Sequence, residues 1–461
     1  MLLLEAGPDH REAELPDALR RLGQPIAWPY EWGERARSIR GRELAYLRGR
    51  GVGGSSRVNG GVALRPEPLD FEAWPAGWRW QEMLPHFRRL ERDLDFGDAP
   101  WHGDSGPIPV QRSPLAEHLP YQRAFHDACV KLGLPACADH NAPDTTGVGP
   151  VPMNRIGDRR VSSAGAYLEP ARERSNLAVR GDALVHRISI ESGRAVGVEL
   201  ANGERLRAGE VWLCAGVIQN PGLLWRSGIG PADALRALGI EPRVELPAVG
   251  RHWTDHTVVT FACPIDPGAA PRGGPPLQSI LRATAPGSAE PNDLQLTPWL
   301  ERNAEGQLAL CISVSLQRPE GSGSIALASA DPAARPRLEW PYAGIPDNVR
   351  RLREGWRLAA RIAQASGICS DASAPGHILD ASDAELDERV ALEHAAFYHG
   401  VGSCRLGAPG ARDAVVDPDC RVRGVAGLRI ADASIAPQVP RTNTNLLAIA
   451  IAERAAALAI A

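Results

Sequence analysis

Apolar positions change period along this chain, and the changes mark out its elements. The opening MLLLEAGPDH runs four apolar residues into Glu5 and a Gly7–Pro8 turn, the pattern of an apolar strand ending in an acid. In VWLCAGVIQNPGLLWRSGIG (211–230), a β-branched and apolar run turns at Gly216. Leu223, Leu224 and Ile229 then carry a helix that ends at Gly228 or Gly230, so a buried strand feeding a helix is predicted. LALCISVSLQRPEGSGSIALAS (308–329) reads as two strands joined by a Gly/Ser turn and predicts a mainly antiparallel sheet. In IPDNVRRLREGWRLAARIAQAS (345–366), Val349, Leu352, Trp356, Leu358 and Ile362 recur at helical spacing between Arg and Glu, an amphipathic helix suited to cover that sheet. A last apolar helix runs from about Asn445 to near Ile460. Glu453 and Arg454 interrupt it, which makes it a core helix and not a membrane anchor. Both sheet types are therefore expected, in an α/β or α+β arrangement.

Composition narrows the partners. A chain of 461 residues, 44% hydrophobic, is too long for one ordinary core and predicts two domains, or one large domain with an inserted layer. Against 51 basic residues stand 55 acidic ones, a net charge of −4 without long runs of either sign. That leaves no electrostatic footprint for nucleic acid or an anionic membrane, and a small-molecule partner is expected. No apolar stretch reaches spanning length and Met1–Leu4 is too short for a signal peptide, so a soluble, cytoplasmic protein is expected. The cysteines at 129, 137, 214, 263, 311, 369, 404 and 420 form no C-x-x-C pair, and no His clusters at zinc-like spacing. They are expected to be mostly buried small hydrophobes, with no metal site.

Three short motifs carry little chemistry. GRGVGG (49–54) and GSGSIA (321–326) satisfy G-x-G-x-x-G/A, but neither follows a clear strand and opens a long helix, so each is read as a turn. GDSGP (103–107) lies in a Gly/Pro-rich stretch and is read as a loop. A longer block says more. In RGRGVGGSSRVNGGVALRPEPLDFEAW (48–74), paired glycines let backbone N–H groups approach a ligand, and Ser55, Ser56 and Asn59 set short polar groups beside them. Such a segment suits a phosphate and a ring system.

This block resembles the first signature of the glucose-methanol-choline (GMC) family of FAD-dependent oxidoreductases. GVIQNPGLLWRSGIG (216–230) resembles the second, departing from it at Val217 and Asn220. RVSSAGAYLEPARERSNLAVRGDALVHRI (160–188), LPAVGRHWTDH (246–256), FYHGVGSCRLG (397–407) and LRIADASIAPQVPRTNTNLLAIAIAERAA (428–456) are similar to further family blocks in family order. Wording around LERDLDFGDAP and GPIPVQR resembles bacterial members of the choline dehydrogenase branch.

The resemblance implies a Rossmann-like FAD-binding domain from residues 1–258 and 396–461. It implies a mainly antiparallel substrate domain from 259–395, joined by part of 113–159, with helices covering its sheet. In the family a strand and a G-x-G-x-x-G turn precede the strand ending in the ribose-binding Glu. Glu5 matches that Glu, so the first strand and pyrophosphate loop are expected to be missing from this sequence, through a misplaced start, with weakened FAD binding. The other cofactor positions implied are Gly53, Gly54, Ser56, Asn59, Gly60 and Val62 in the first block, Val185 at the adenine, Asp432 at the ribityl or pyrophosphate region, and Thr444.

Alcohol oxidation needs a base for the hydroxyl proton and an acceptor close to the carbon; a neutral His suits the first near neutral pH. His399 occupies the family's catalytic His position, with Gly400 and Ser403 where Pro and Thr are more usual. Asn443 falls at the second catalytic position. An amide is no base, so it is assigned to the substrate oxygen; capping the last helix is the alternative, open to Asn445 as well. His394 matches no role and is read as a surface or packing residue. The implied function is FAD-dependent oxidation of a small-molecule alcohol to a carbonyl by proton abstraction at His399. The electron acceptor stays open among oxygen, a quinone and a carrier; the alternatives are a cofactor-free remnant and a flavin-retaining lyase. With aromatic content at 5%, the sequence gives no basis for a cage around a choline-like cation.

Overall fold

The computed structural model describes residues 1–22, 30–266, 275–302 and 306–460. Its largest sheet has six strands in the order Ala395–Ala396, Thr257–Pro264, Leu308–Leu316, Leu294–Arg302, Ser279–Ala283 and Gly147–Pro150, every neighbouring pair antiparallel. Strand alternation sends Val259, Phe261, Leu294, Leu296, Leu310, Ile312, Val314 and Leu316 to one side. The amphipathic helix Pro346–Ser366 lies there and buries Leu352, Trp356, Ala360 and Ile362 against them, as its periodicity predicts. Each large apolar side chain so buried contributes roughly 1.5–3 kcal/mol. Helix and sheet come close because position 355 is Gly: a Cβ there would stand 2.5 Å from Val314 Cγ1. The helix Pro120–Lys131 adds Tyr121, Phe125 and Cys129 to the same layer.

The 308–329 segment differs from its sequence reading. Leu308–Leu316 joins the six-stranded sheet, but Ser324–Ala326 pairs with Arg337–Glu339 in a separate four-stranded sheet that also holds Arg35–Arg37 and Glu43–Ala45. The Gly/Ser turn is therefore no hairpin. Gly323 N donates to Trp253 O at 2.7 Å, and the Arg318 guanidinium donates to Val439 O at 2.7 Å, so contacts remote in sequence draw the chain from one sheet to the other.

Of two parallel strand pairs, Leu2–Leu4 with Ala178–Arg180 and Val211–Leu213 with Leu428–Ile430, the second lies in the other main apolar cluster. The second pair leads into the helix Gly216–Arg226, the strand-to-helix unit expected there, with Gly216 turning at φ 82°. The last helix, Asn445–Ile460, buries Leu446, Leu447, Ala450 and Ile451 in this cluster with Phe71, Trp74 and Trp78. No described helix is long and apolar enough to cross a membrane. Five free cysteines are buried as expected, but Cys214 is exposed, and Cys263 is disulfide-bonded to Cys369, a pairing their spacing did not signal.

Candidate active site

Two loops from distant parts of the chain meet in front of the six-stranded sheet. The Trp253–His256 segment leads into the strand Thr257–Pro264, and the Phe397–Cys404 loop follows Ala395–Ala396. Asp255 ties them: its Oδ1 accepts from the backbone N–H of His256 at 2.8 Å and of His399 at 2.7 Å. Gly400 permits the close approach, since a Cβ there would lie 2.4 Å from Tyr46 Oη and 2.6 Å from Trp253 Nε1. Ser403 Oγ donates to Val217 O at 2.6 Å, so two positions that depart from the family pattern meet each other.

The polar groups form a directed chain. Pro440 O can only accept, so the His256 Nε2 that stands 2.8 Å from it carries the proton. His256 Nδ1 is then an acceptor, and His399 Nδ1, 2.9 Å away, donates to it. This tautomer leaves the lone pair of His399 on Nε2, where Asn443 Nδ2 donates at 3.0 Å. Burial, then neighbouring His256 and the Arg48 guanidinium, hold the His399 imidazolium well below the usual range, so the ring is neutral around pH 7. Burial likewise pushes His256 down to about 3. Asp255 moves the other way: burial raises it to about 6, against the opposing pull of Arg48 and the two backbone N–H groups. The ring of Phe397 stands edge-on 4.8 Å from that of His399 and limits its rotation.

The cofactor positions implied by sequence fall into linked groups. Glu5 Oε1 accepts from Gly7 N at 2.9 Å and Gly51 N at 3.1 Å, and Glu5 O accepts from Ala183 N at 2.8 Å, so the end of the first strand adjoins both the glycine loop and the run leading to Val185. Gly53 and Gly54 take positive φ, 97° and 51°, and Ser56 Oγ donates to Gly53 O at 2.6 Å while accepting from Ser163 N at 3.0 Å. Asn59 Oδ1 accepts from Gly61 N and from Arg160, both at 2.9 Å, and Val62 bridges to Met153. Gly61 O accepts from Asn154 N at 2.7 Å, and Asn154 Oδ1 from Asn445 Nδ2 at 2.7 Å, which joins the Asn59–Gly60 loop to the start of the last helix beside Asn443 and Thr444. Asp432 braces the protein itself. Its Oδ2 accepts from Gly216 N and Asn220 Nδ2, and its Oδ1 from Ser434 N, all at 2.8 Å. Asn220, the other departure from the second signature, thereby has a structural use.

These residues fit a large polar group with rings and phosphates. A Cβ at Gly54 or Gly60 would meet open space. Asn154 Nδ2, Arg160 Nε, Thr442 Oγ1 and Asn443 Oδ1 are buried without a hydrogen-bond partner, near the N-terminus of a 16-residue helix whose dipole favours negative charge. His256, Asp255 and Pro440 do not stand out in the sequence. The Asp-His pair closing LPAVGRHWTDH, just ahead of an apolar run, is the one local signal of them. His394 is wholly buried and stacks on Trp340 at 5.5 Å, so of its two readings packing is the one observed.

A second buried cluster lies apart from this site. Glu91, Asp93 and His102 converge with Asp139, His102 Nδ1 standing 2.8 Å from Glu91 Oε1 and Nε2 2.9 Å from Asp139 Oδ2. Arg65 pairs with Glu91, and Arg112 with Asp93 and Asp139 at 2.9 and 2.7 Å. A protonated His102 balances three carboxylates with two guanidinium groups. Burial opposes that charge, but its hydrogen bonds to Asp139 and Glu91 outweigh burial and raise it.

Comparison with known proteins agrees with this architecture. Residues 30–258 match the N-terminal part and residues 319–452 the C-terminal part of the GMC oxidoreductase family. The chain is 35% identical over 471 residues to a GMC-type oxidoreductase of Rhodococcus erythropolis, covering 99% of this chain and 92% of that protein. It is 34% identical over 497 residues to 5-(hydroxymethyl)furfural oxidase of Methylovorus sp., covering 99% and 93%. Pyridoxine 4-oxidase from Mesorbium loti superposes with a TM-score of 0.85 at 29% identity, over 99% of this chain and 93% of that one. The chain belongs to the GMC oxidoreductase family.

Proposed function

We propose that this protein is an FAD-dependent oxidoreductase that converts an alcohol to a carbonyl, with His399 as the base. Relatives named for oxidation of 5-(hydroxymethyl)furfural, choline and pyridoxine support the reaction class. The observation that carries the residue assignment is the chain Pro440–His256–His399–Asn443, which aims the lone pair of a neutral imidazole at the amide of Asn443.

His399 Nε2 accepts the hydroxyl proton, while His399 Nδ1–H stays bonded to His256 and keeps the ring in place. Asn443 Nδ2 turns its N–H to the substrate oxygen as negative charge grows there. Asp255 fixes the backbone of both histidines. Proton transfer by a positioned base contributes about 10²–10⁴ in rate. Glu5, Gly53, Gly54, Ser56, Asn59, Gly60, Val62, Val185 and Thr444 would hold FAD, with Asp432 bracing Gly216, Asn220 and Ser434, and FAD when bound would supply the acceptor for the hydride of the alcohol carbon. The apolar cluster whose buried residues all come from 121–148 and 259–390 supports a substrate part of 259–395 with some of 113–159, beside a cofactor part of 1–258 and 396–461. The test is the visible spectrum of the FAD-loaded protein under anaerobic alcohol. Bleaching is expected, and His399→Ala should keep the flavin spectrum and lose the bleaching. Equal bleaching in that variant would refute the assignment.

A further inference from the structure

The face of the six-stranded sheet turned away from its helices carries a group of buried polar residues at the end nearest His256. Since Val259, Phe261, Leu294, Leu296, Ile312 and Val314 face the helices, alternation puts His256, Thr260, Gln295, Thr297, Ser313 and Ser315 on the opposite side. Register aligns part of this set into a row across four strands: Val258 opposite Ser315, Ser315 opposite Gln295, Gln295 opposite Arg282. Gln317 continues the face, its Nε2 donating to Ser315 Oγ at 2.8 Å and its backbone carbonyl beside the His256 ring. Gln295 and Gln317 are 2% and 1% exposed, yet the Oε1 of each has no hydrogen-bond partner. Buried acceptors without donors are costly, and here two stand together on the face that carries His256. Turning either amide over would exchange an unmet acceptor for an unmet donor. A ligand hydroxyl serves both.

Charge narrows the ligand further. Arg282 pairs with Glu67, Arg441 with Asp70 and Glu290, and Arg318 with Glu290 at 3.7 Å, so three guanidinium groups on this side meet three carboxylates. The one aromatic ring that the described strands place on the face, Trp299, gives its N–H to Ser313 Oγ at 2.8 Å. These pairs leave no net positive charge for an anion, and the described strands offer no further ring for a quaternary ammonium ion. Gln295 lies two strands across and two residues along from His256, about 12 Å at ordinary strand spacing and rise. Less the reach of the glutamine side chain, that is a span for a molecule of roughly four to six carbons.

We infer that the substrate is a neutral polyhydroxylated alcohol, held with its reacting hydroxyl at His399 and further hydroxyls on Gln295 and Gln317. This rests on the reading of His399 as the site of reaction. The test uses the FAD-loaded His399→Ala protein, in which binding is measured without turnover, with xylitol, 1-pentanol and choline as probes in calorimetric titration. Xylitol should bind at least about tenfold tighter than the other two, and Gln295→Leu or Gln317→Leu, added singly, should each remove about tenfold of that affinity. Affinity for 1-pentanol and the flavin content should not change. Both variants should fold, because each replaces a buried amide whose oxygen is unmet with an apolar group of similar size. Equal binding of 1-pentanol or choline, absence of xylitol binding, or a loss of flavin in place of xylitol affinity would overturn the inference. Anaerobic bleaching with His399 present separates the two readings: xylitol that binds by this pattern without bleaching the flavin supports the hydroxyl site and refutes the oxidation.

Discussion

Replacing Asp255 by Asn should stabilise the protein at neutral pH, by an amount the structure sets. The asparagine keeps a carbonyl oxygen for the backbone N–H groups of His256 and His399, now 2.8 and 2.7 Å from Asp255 Oδ1, and removes a fully buried charge. The carboxyl is raised by burial from 3.8 to about 6, so the folded protein holds its proton more tightly than the unfolded chain does. The sign follows: as pH rises from about 4 to 6 the unfolded chain ionises first and stability falls, and above 6 the penalty stays constant. A shift of about two pH units corresponds to about 3 kcal/mol. Thermal or urea unfolding of both proteins at fixed FAD should show similar stability near pH 4, with Asp255→Asn ahead by about 3 kcal/mol at pH 7. A gap independent of pH, or one that widens on acidification, would refute the reasoning.

Other perturbations probe separate parts of the site and frame. His256→Leu strands His399 Nδ1–H without an acceptor, a loss of about 1–3 kcal/mol, so anaerobic flavin reduction should slow roughly 10- to 100-fold with flavin content unchanged, and His256→Asn should restore part of the rate. Gly400→Ala drives a methyl group to 2.4 Å from Tyr46 Oη and 2.6 Å from Trp253 Nε1 and should cost about 1–3 kcal/mol; the thermal midpoint should partly recover when Tyr46→Phe is added. His102 is raised by its bonds to Asp139 and Glu91, so its contribution is full below pH 6.5 and is lost as pH rises through the raised value. The deficit of His102→Asn, about 3–5 kcal/mol in acid, should shrink on the alkaline side, as unfolding midpoints across pH 5.5 to 9 will show.

Features written in short-range periodicity are legible in the sequence itself. The helix over Val349–Ile362, the strand turning into a helix at Gly216 and the apolar last helix need only neighbours three or four residues away to declare a buried face. His399 and Asn443 stand out because the blocks around them keep the family's spacing. The rest belongs to contacts that no local pattern encodes. His256 lies 143 residues from His399, and only packing shows that their rings meet and which nitrogen carries each proton. Strand pattern marks Leu308–Leu316 and Ser324–Ala326 as strands but cannot say that their partners lie in different sheets, because pairing is decided by long-range contacts such as those of Gly323 and Arg318. Val217 and Ser403 look like two unrelated departures along the chain, and the fold places one against the other. The residue pattern along this chain determined which segments bury an apolar face and which family spacing they follow. The tertiary structure alone decided which polar groups, once buried, find a partner and which do not, since that depends on atoms far apart in sequence.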